Sequence, residues 1–159
     1  MSLLLLALAA TPCGGQRVGP VVPRPSRLQP TLRADLLAGT DPAVQLAAGL
    51  QVSAAYNVRI AVESGVGAVS RPEGWRRSGR VDLLLRWLAD PFRASRHGLN
   101  AGGGLGLLVE DGRAPRPVAI LTVGMDGSGT GHWLKGVELG LGGGVRAGLT
   151  LRRAPGRRR

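Results

Sequence analysis

At 159 residues the chain is long enough for one domain with a real core, and no more than one is expected. Its 26 Gly, 11 Pro and few aromatics favour turn-rich β structure over a helical domain, and the single cysteine, Cys13, excludes an internal disulfide and a cysteine metal cluster. The formal charge of +11 comes from arginines spread singly through alternating runs, with few aromatics to stack on bases, which weighs against nucleic acid.

Residues 3–10 are uniformly apolar. A bilayer-spanning helix takes about 20 residues, so this run is too short to span but suits the core of a signal peptide, with Ala7, Leu8 and Ala9 as a small-x-small cleavage site. Residues 1–15 are therefore expected to be a signal peptide, although a basic n-region is missing; the alternative is a frayed apolar N-terminus. Acylation of Cys13 is disfavoured by Pro12 directly before it. Pro20, Pro23, Pro25 and Pro30, interleaved with Arg17, Arg24 and Arg27, make 16–30 an extended leader. Folding is expected to begin near Thr31.

Residues 31–39 read as a first strand, with Leu32, Ala34, Leu36 and Ala38 opposite Arg33 and Asp35. A turn at 39–42 leads to the clearest pattern in the chain, residues 43–66. There Val44, Leu46, Ala48, Leu50, Val52 and Ala54 alternate with polar or small residues. After a break the same parity resumes, setting Tyr56, Val58, Ile60 and Val62 against Asn57, Arg59, Ala61 and Glu63. Side chains alternate sides along a strand, so this is a hairpin with one apolar and one polar face.

Residues 70–79 read as the longest polar loop within the patterned region. Residues 81–88 alternate again, with a helix in competition because Leu84 and Leu88 lie four apart. Residues 98–110 set Leu99, Leu105, Leu107 and Val109 against Asn100, Gly102, Gly104 and Gly106, and Asp111 and Gly112 turn the chain. Residues 118–125 are apolar on both parities, so their facing is open, and 126–131 is a glycine-rich turn. The last hairpin places Trp133, Val137, Leu139 and Leu141, then Val145, Ala147, Leu149 and Leu151, on one face. Glu138, Arg146, Thr150 and Arg152 share the other face with glycines. Residues 153–159 form a basic tail.

Little here carries chemistry. The glycine runs at 102–106 and 140–144 lack the Lys-Ser/Thr and helix of a phosphate loop. His97 and His132 fall at strand ends, and a set of Ser128, His132 and Glu138 has no diagnostic spacing. No catalytic residue, metal or cofactor is expected. The polar parity is more telling: Arg33, Asp35, Arg59, Glu63, Asp82, Arg86, Glu138 and Arg146 recur on successive strands. They could line a polar pore or close into a salt-bridge network, and for about eight strands, whose interior side chains nearly fill, the plugged lumen is favoured.

These runs resemble the small eight-stranded outer-membrane β-barrels of Gram-negative bacteria, the OmpA/OmpW-like family. The resemblance spans about 31–152 and is strongest in the final hairpin, with its Gly-Leu-Gly-Gly-Gly-Val-Arg-Ala-Gly-Leu-Thr-Leu run. It implies an all-β, antiparallel up-and-down barrel with the apolar face outward, in the outer membrane, with no cofactor and a structural, adhesive or lipid-contacting role. Val44, Leu46, Leu50, Val58, Ile60, Leu139 and Leu149 would then face lipid. The expected partners are outer-membrane lipid and the barrel-assembly machinery, with no nucleic acid and the chain as a monomer. The sequence departs from the family in ending on Arg157, Arg158 and Arg159 rather than an aromatic residue, and in its sparse aromatic girdles.

Two other readings compete. Alternation alone does not say which face is inside, so a soluble β-barrel or sandwich could turn the apolar parity inward around a lipid-like ligand. A basic nucleic-acid-binding protein would use Arg152, Arg153 and the three terminal arginines.

Overall fold

The computed structural model describes residues 28–89, 97–127 and 133–153. Eight strands account for nearly all of them: β1 Gln29–Ala38, β2 Ala43–Ser53, β3 Val58–Arg71, β4 Gly74–Leu88, β5 Gly98–Glu110, β6 Arg113–Asp126, β7 Trp133–Leu141 and β8 Val145–Arg153. Each pairs antiparallel with its neighbours in sequence, and β8 closes on β1. The molecule is thus a closed up-and-down barrel without a free strand at either side, which removes the open edge of a flat sheet.

Period-two alternation sets the inside and the outside. On β1 the odd residues from Gln29 to Leu37 are buried, whereas Leu32, Ala34, Leu36 and Ala38 are exposed. The inward set is odd through β3 and even from β4 onward, because the two-residue turn of Pro72 and Glu73 joins an odd residue, Arg71, to an even partner, Gly74. Outward side chains are large and apolar, with Leu46 64 % and Leu105 66 % exposed. The soluble alternative needed Leu50, Val58, Ile60 and Leu149 inside. It fails on this point, because Leu50, Ile60 and Leu149 are exposed and Val58 lies half-buried on the outward parity, while Glu63 is buried.

The register defines the barrel's geometry. Pairing followed from Arg33 through Ala47, Gly65, Arg80 and Leu108 reaches Arg116 on β6. Followed the other way, through Thr150 and Gly136, it reaches Asp126, ten residues further along the same strand. A shear of this size tilts the strands by roughly 40° and leaves a narrow interior into which the inward side chains project.

Several local expectations change. Residues 70–79 are not a loop: β3 continues to Arg71 and β4 restarts at Gly74, whose positive φ of 118° suits glycine at the end of the tight turn. Residues 81–88 are strand, so the helical competitor is excluded, with Leu84 fully buried and Val81, Leu83, Leu85 and Trp87 outside. β6 begins at Arg113, ahead of Pro115 and Pro117, and its facing is resolved by Ile120 and Thr122 inside against Leu121 and Val123 outside. Tyr56 lies in the β2–β3 turn rather than on a strand face, and Asp126 is the last inward residue of β6 rather than part of a turn. The expected signal peptide at 1–15, Cys13, the leader up to residue 27, Ser128, His132 and the tail from residue 154 lie outside the described residues.

Candidate functional site: the charged barrel interior

The core of this protein is polar. Five arginines and five acids on the inward face are almost fully buried and form one connected set. At one end Arg80 Nε lies 2.9 Å from Asp82 Oδ1, and Asp82 Oδ2 is 3.3 Å from Arg146 Nη1. Arg146 Nη2 reaches Asp35 Oδ2 at 2.8 Å, and Asp35 Oδ1 takes the Arg33 Nε–H at 2.7 Å. Arg33 also pairs with Glu63 at 3.2 Å and Glu138 at 2.7 Å, and Arg86 spans the same two carboxylates at 2.8 and 3.0 Å. Glu138 passes the chain on to Arg152 at 3.1 Å, which ends it on Asp126 at 2.8 Å.

The parity and register bring these groups together from β1, β3, β4, β6, β7 and β8. Glycine makes the room: a Cβ on Gly148 would stand 2.2 Å from Asp35 Oδ1, and one on Gly136 would stand 2.6 Å from Asp126 Oδ1. The inward glycines therefore face the charged groups they admit. Stripping ions of water costs several kcal/mol each, and it is offset only where each ion keeps several partners. Here every arginine but Arg80 touches two or more acids, and Arg80 adds a 3.5 Å contact with Gln45. The set is neutral as a whole.

Of the residues singled out from sequence, Arg33, Asp35, Glu63, Asp82, Arg86, Glu138 and Arg146 lie within this set. Arg59 sits half-buried at the end where the chain enters and leaves, and donates to Gln29 Oε1, which also accepts from Gln51 at 2.8 Å. The charge network expected from sequence left out Arg80, Asp126 and Arg152, the last of these already on the polar face of the final hairpin, although even parity on β4, β6 and β8 marks all three as inward. Arg152 is buried against Asp126 and Glu138, so the nucleic-acid reading loses one of its arginines. Val44, Leu46, Leu50, Ile60, Leu139 and Leu149 are all exposed on the outer wall.

Apolar side chains share the interior. Ala61, Leu84 and Ile120 form a buried cluster with Val118 against it, and Leu37, Ala43 and Val69 form another. Beside the latter, at the end opposite the termini, a cavity of about 140 Å³ is lined in part by Gln45, Ser78, Leu108 and Arg116. Arg71 ties across it, bonding Glu110 at 2.6 Å and also pairing with Asp41. Among the described residues no group of His, Cys, Asp and Glu is placed to hold a metal ion. Glu138 is committed to three arginines, and the other two members of the set Ser128, His132 and Glu138 lie outside the described residues.

A closed barrel of eight antiparallel strands, with apolar side chains outside and charged ones inside, has the fold of the small outer-membrane β-barrels. No protein-family model matches the sequence, and no curated protein matches it. Among solved structures, the crystal structure of the N-terminal β-barrel domain of Pseudomonas aeruginosa OprF is similar with a TM-score of 0.58. The match covers 80 % of this chain and 98 % of that one at 12 % identity. The solution structure of the designed barrel TMB2.3 gives a TM-score of 0.49, over 85 % of this chain and all of that one, at 14 % identity. At these identities the likeness is one of fold.

Proposed function

We propose that this chain is an outer-membrane β-barrel of a Gram-negative envelope, with a structural or envelope-contact role and a lumen plugged by its charge network. It acts without catalysis or cofactor, as a monomer in contact with outer-membrane lipid, and reaches that site through an export signal and the barrel-assembly machinery.

One observation carries the reading. Among the outward strand positions only Arg77, Arg113, Lys135 and Arg153 are charged, and all four lie near strand ends, while Leu, Val and Ile fill the wall between. An arginine facing lipid at mid-depth costs roughly 2 to 4 kcal/mol, falling to about 0 to 1 near the interface, so this distribution suits a bilayer. A soluble monomer rarely shows a continuous apolar surface beyond a few hundred Å². On β4 the outward Trp75 and Trp87 are twelve residues apart. At about 3.3 Å per residue and a tilt of roughly 40° they stand about 30 Å apart along the axis, enough to bracket an apolar band of about 25 Å.

The test is extraction and migration. The folded chain is expected to need detergent for extraction from the membrane fraction and to run at different positions on a gel with and without boiling. A folded mature chain that stays monodisperse without detergent overturns the proposal.

A further inference from the structure

The charge of the described residues is distributed unevenly between the two ends of the barrel. Inside, five arginines balance five acids. At the rim opposite the termini, Arg71, Arg76, Arg77, Arg113 and Arg116 face Asp41, Glu73, Glu110 and Asp111, so that end is close to neutral. Among the described residues outside the network, the end where the chain enters β1 and leaves β8 carries Arg59, Lys135 and Arg153 and no acid.

That end also has the outward geometry for a phosphate. Lys135 and Arg153 project from β7 and β8 at the foot of the apolar wall, and Arg153 is the cross-strand partner of Trp133. Trp87 occupies the same end of β4. A cation and an indole side by side, just beyond a row of leucines and valines, match an amphiphile with an anionic head and apolar chains. Outward Trp75 and Arg77 at the other rim lie among the paired acids of a neutral end.

We infer that the termini end of the barrel is a docking surface for anionic phospholipid headgroups, with Lys135 and Arg153 on the phosphate and Trp133 at the headgroup level. The inference rests on the membrane reading above and adds to it a lipid preference and a polarity. The neutral rim has no such preference.

The three tryptophans report the two ends separately. The full chain, folded in neutral detergent, is titrated with short-chain phosphatidylglycerol and, in parallel, with short-chain phosphatidylcholine, while the indole N–H resonances are followed by NMR. Phosphatidylglycerol is expected to shift Trp133 and Trp87 but not Trp75, in a salt-sensitive manner, and phosphatidylcholine to shift none of them. A cation at an anionic lipid surface is worth roughly fivefold in affinity, so Lys135→Gln with Arg153→Gln lowers the apparent affinity by about twenty-fivefold. Arg76→Gln with Arg77→Gln removes the same charge at the other rim and leaves it unchanged. Equal shifts of Trp75 and Trp133, equal response to the two lipids, or tighter binding of an oligonucleotide than of phosphatidylglycerol at Trp133 overturns the inference. Loss of heat-modifiable migration in neutral detergent instead overturns the barrel reading beneath it.

Discussion

Glu138 holds the interior together because it touches Arg33, Arg86 and Arg152, which arrive on three different strands. Removing one partner of a buried ion pair leaves the other charge uncompensated, so Glu138→Ala is expected to cost roughly 3 to 5 kcal/mol. Glu73→Ala removes only a 3.9 Å surface contact with Arg76 and should stay within about 0.5 kcal/mol. Urea unfolding in detergent compares them directly, and equal midpoints would show that the network contributes little. Gly148→Ala tests the same set sterically, since its Cβ would collide with Asp35; it should destabilise by about 1 to 3 kcal/mol. Gly98→Ala meets nothing within 4 Å and serves as the neutral control. Most of this site was legible as parity, because an arginine or glutamate among alternating leucines has a defined side. Which acid meets which arginine was not legible, since partners such as Arg146 and Asp35 lie 111 residues apart and are joined only by closure of β8 on β1.

Strand by strand, alternation located β1, β2, β7 and β8 well, and it faltered where the barrel wall outlasts its apolar band. The β3–β4 hairpin looked like a loop because its last turns carry Arg71, Arg76 and Arg77, yet backbone pairing continues from Val69↔Arg76 to Arg71↔Gly74. Ladder hydrogen bonds do not depend on side-chain polarity, so a strand can project beyond the apolar zone while its sequence turns polar. β6 presents the converse problem. Its pairing with β7 stops at Leu121↔Leu141, which leaves residues 113–120 without a partner on that side. Pro115 and Pro117 fall in this stretch and remove backbone donors from the open edge. Replacing both by valine is expected to restore a pairing edge and produce dimers or larger species in detergent, read by cross-linking against the monomeric parent. Depth along a strand is testable on β5: Leu105→Arg, at mid-wall, should cost roughly 2 to 4 kcal/mol, and Val109→Arg, beside the rim, about 0 to 1.

At the scale of the molecule, strand number and shear together determine whether the interior conducts. Eight strands enclose a narrow space, and long arginines enter it from several sides with Leu84 and Ile120 beside them, which supports the plugged lumen proposed above. The chain in a planar bilayer is therefore expected to show no discrete conductance. The network gives a way to open it without stranding a charge. Arg86 and Glu63 are direct partners at 2.8 Å, so Arg86→Ser combined with Glu63→Ser removes one cation and one anion together. Arg33 then keeps Asp35 at 2.7 Å and Glu138 at 2.7 Å, and Glu138 keeps Arg152. The pair should fold more stably than either single substitution, since each single one leaves an unmatched ion in the lumen. With two long side chains shortened at the level of Leu84, water can enter, and small-ion conductance steps are expected in the double variant alone. Steps already present in the parent chain would show that the salt bridges line a path rather than close it.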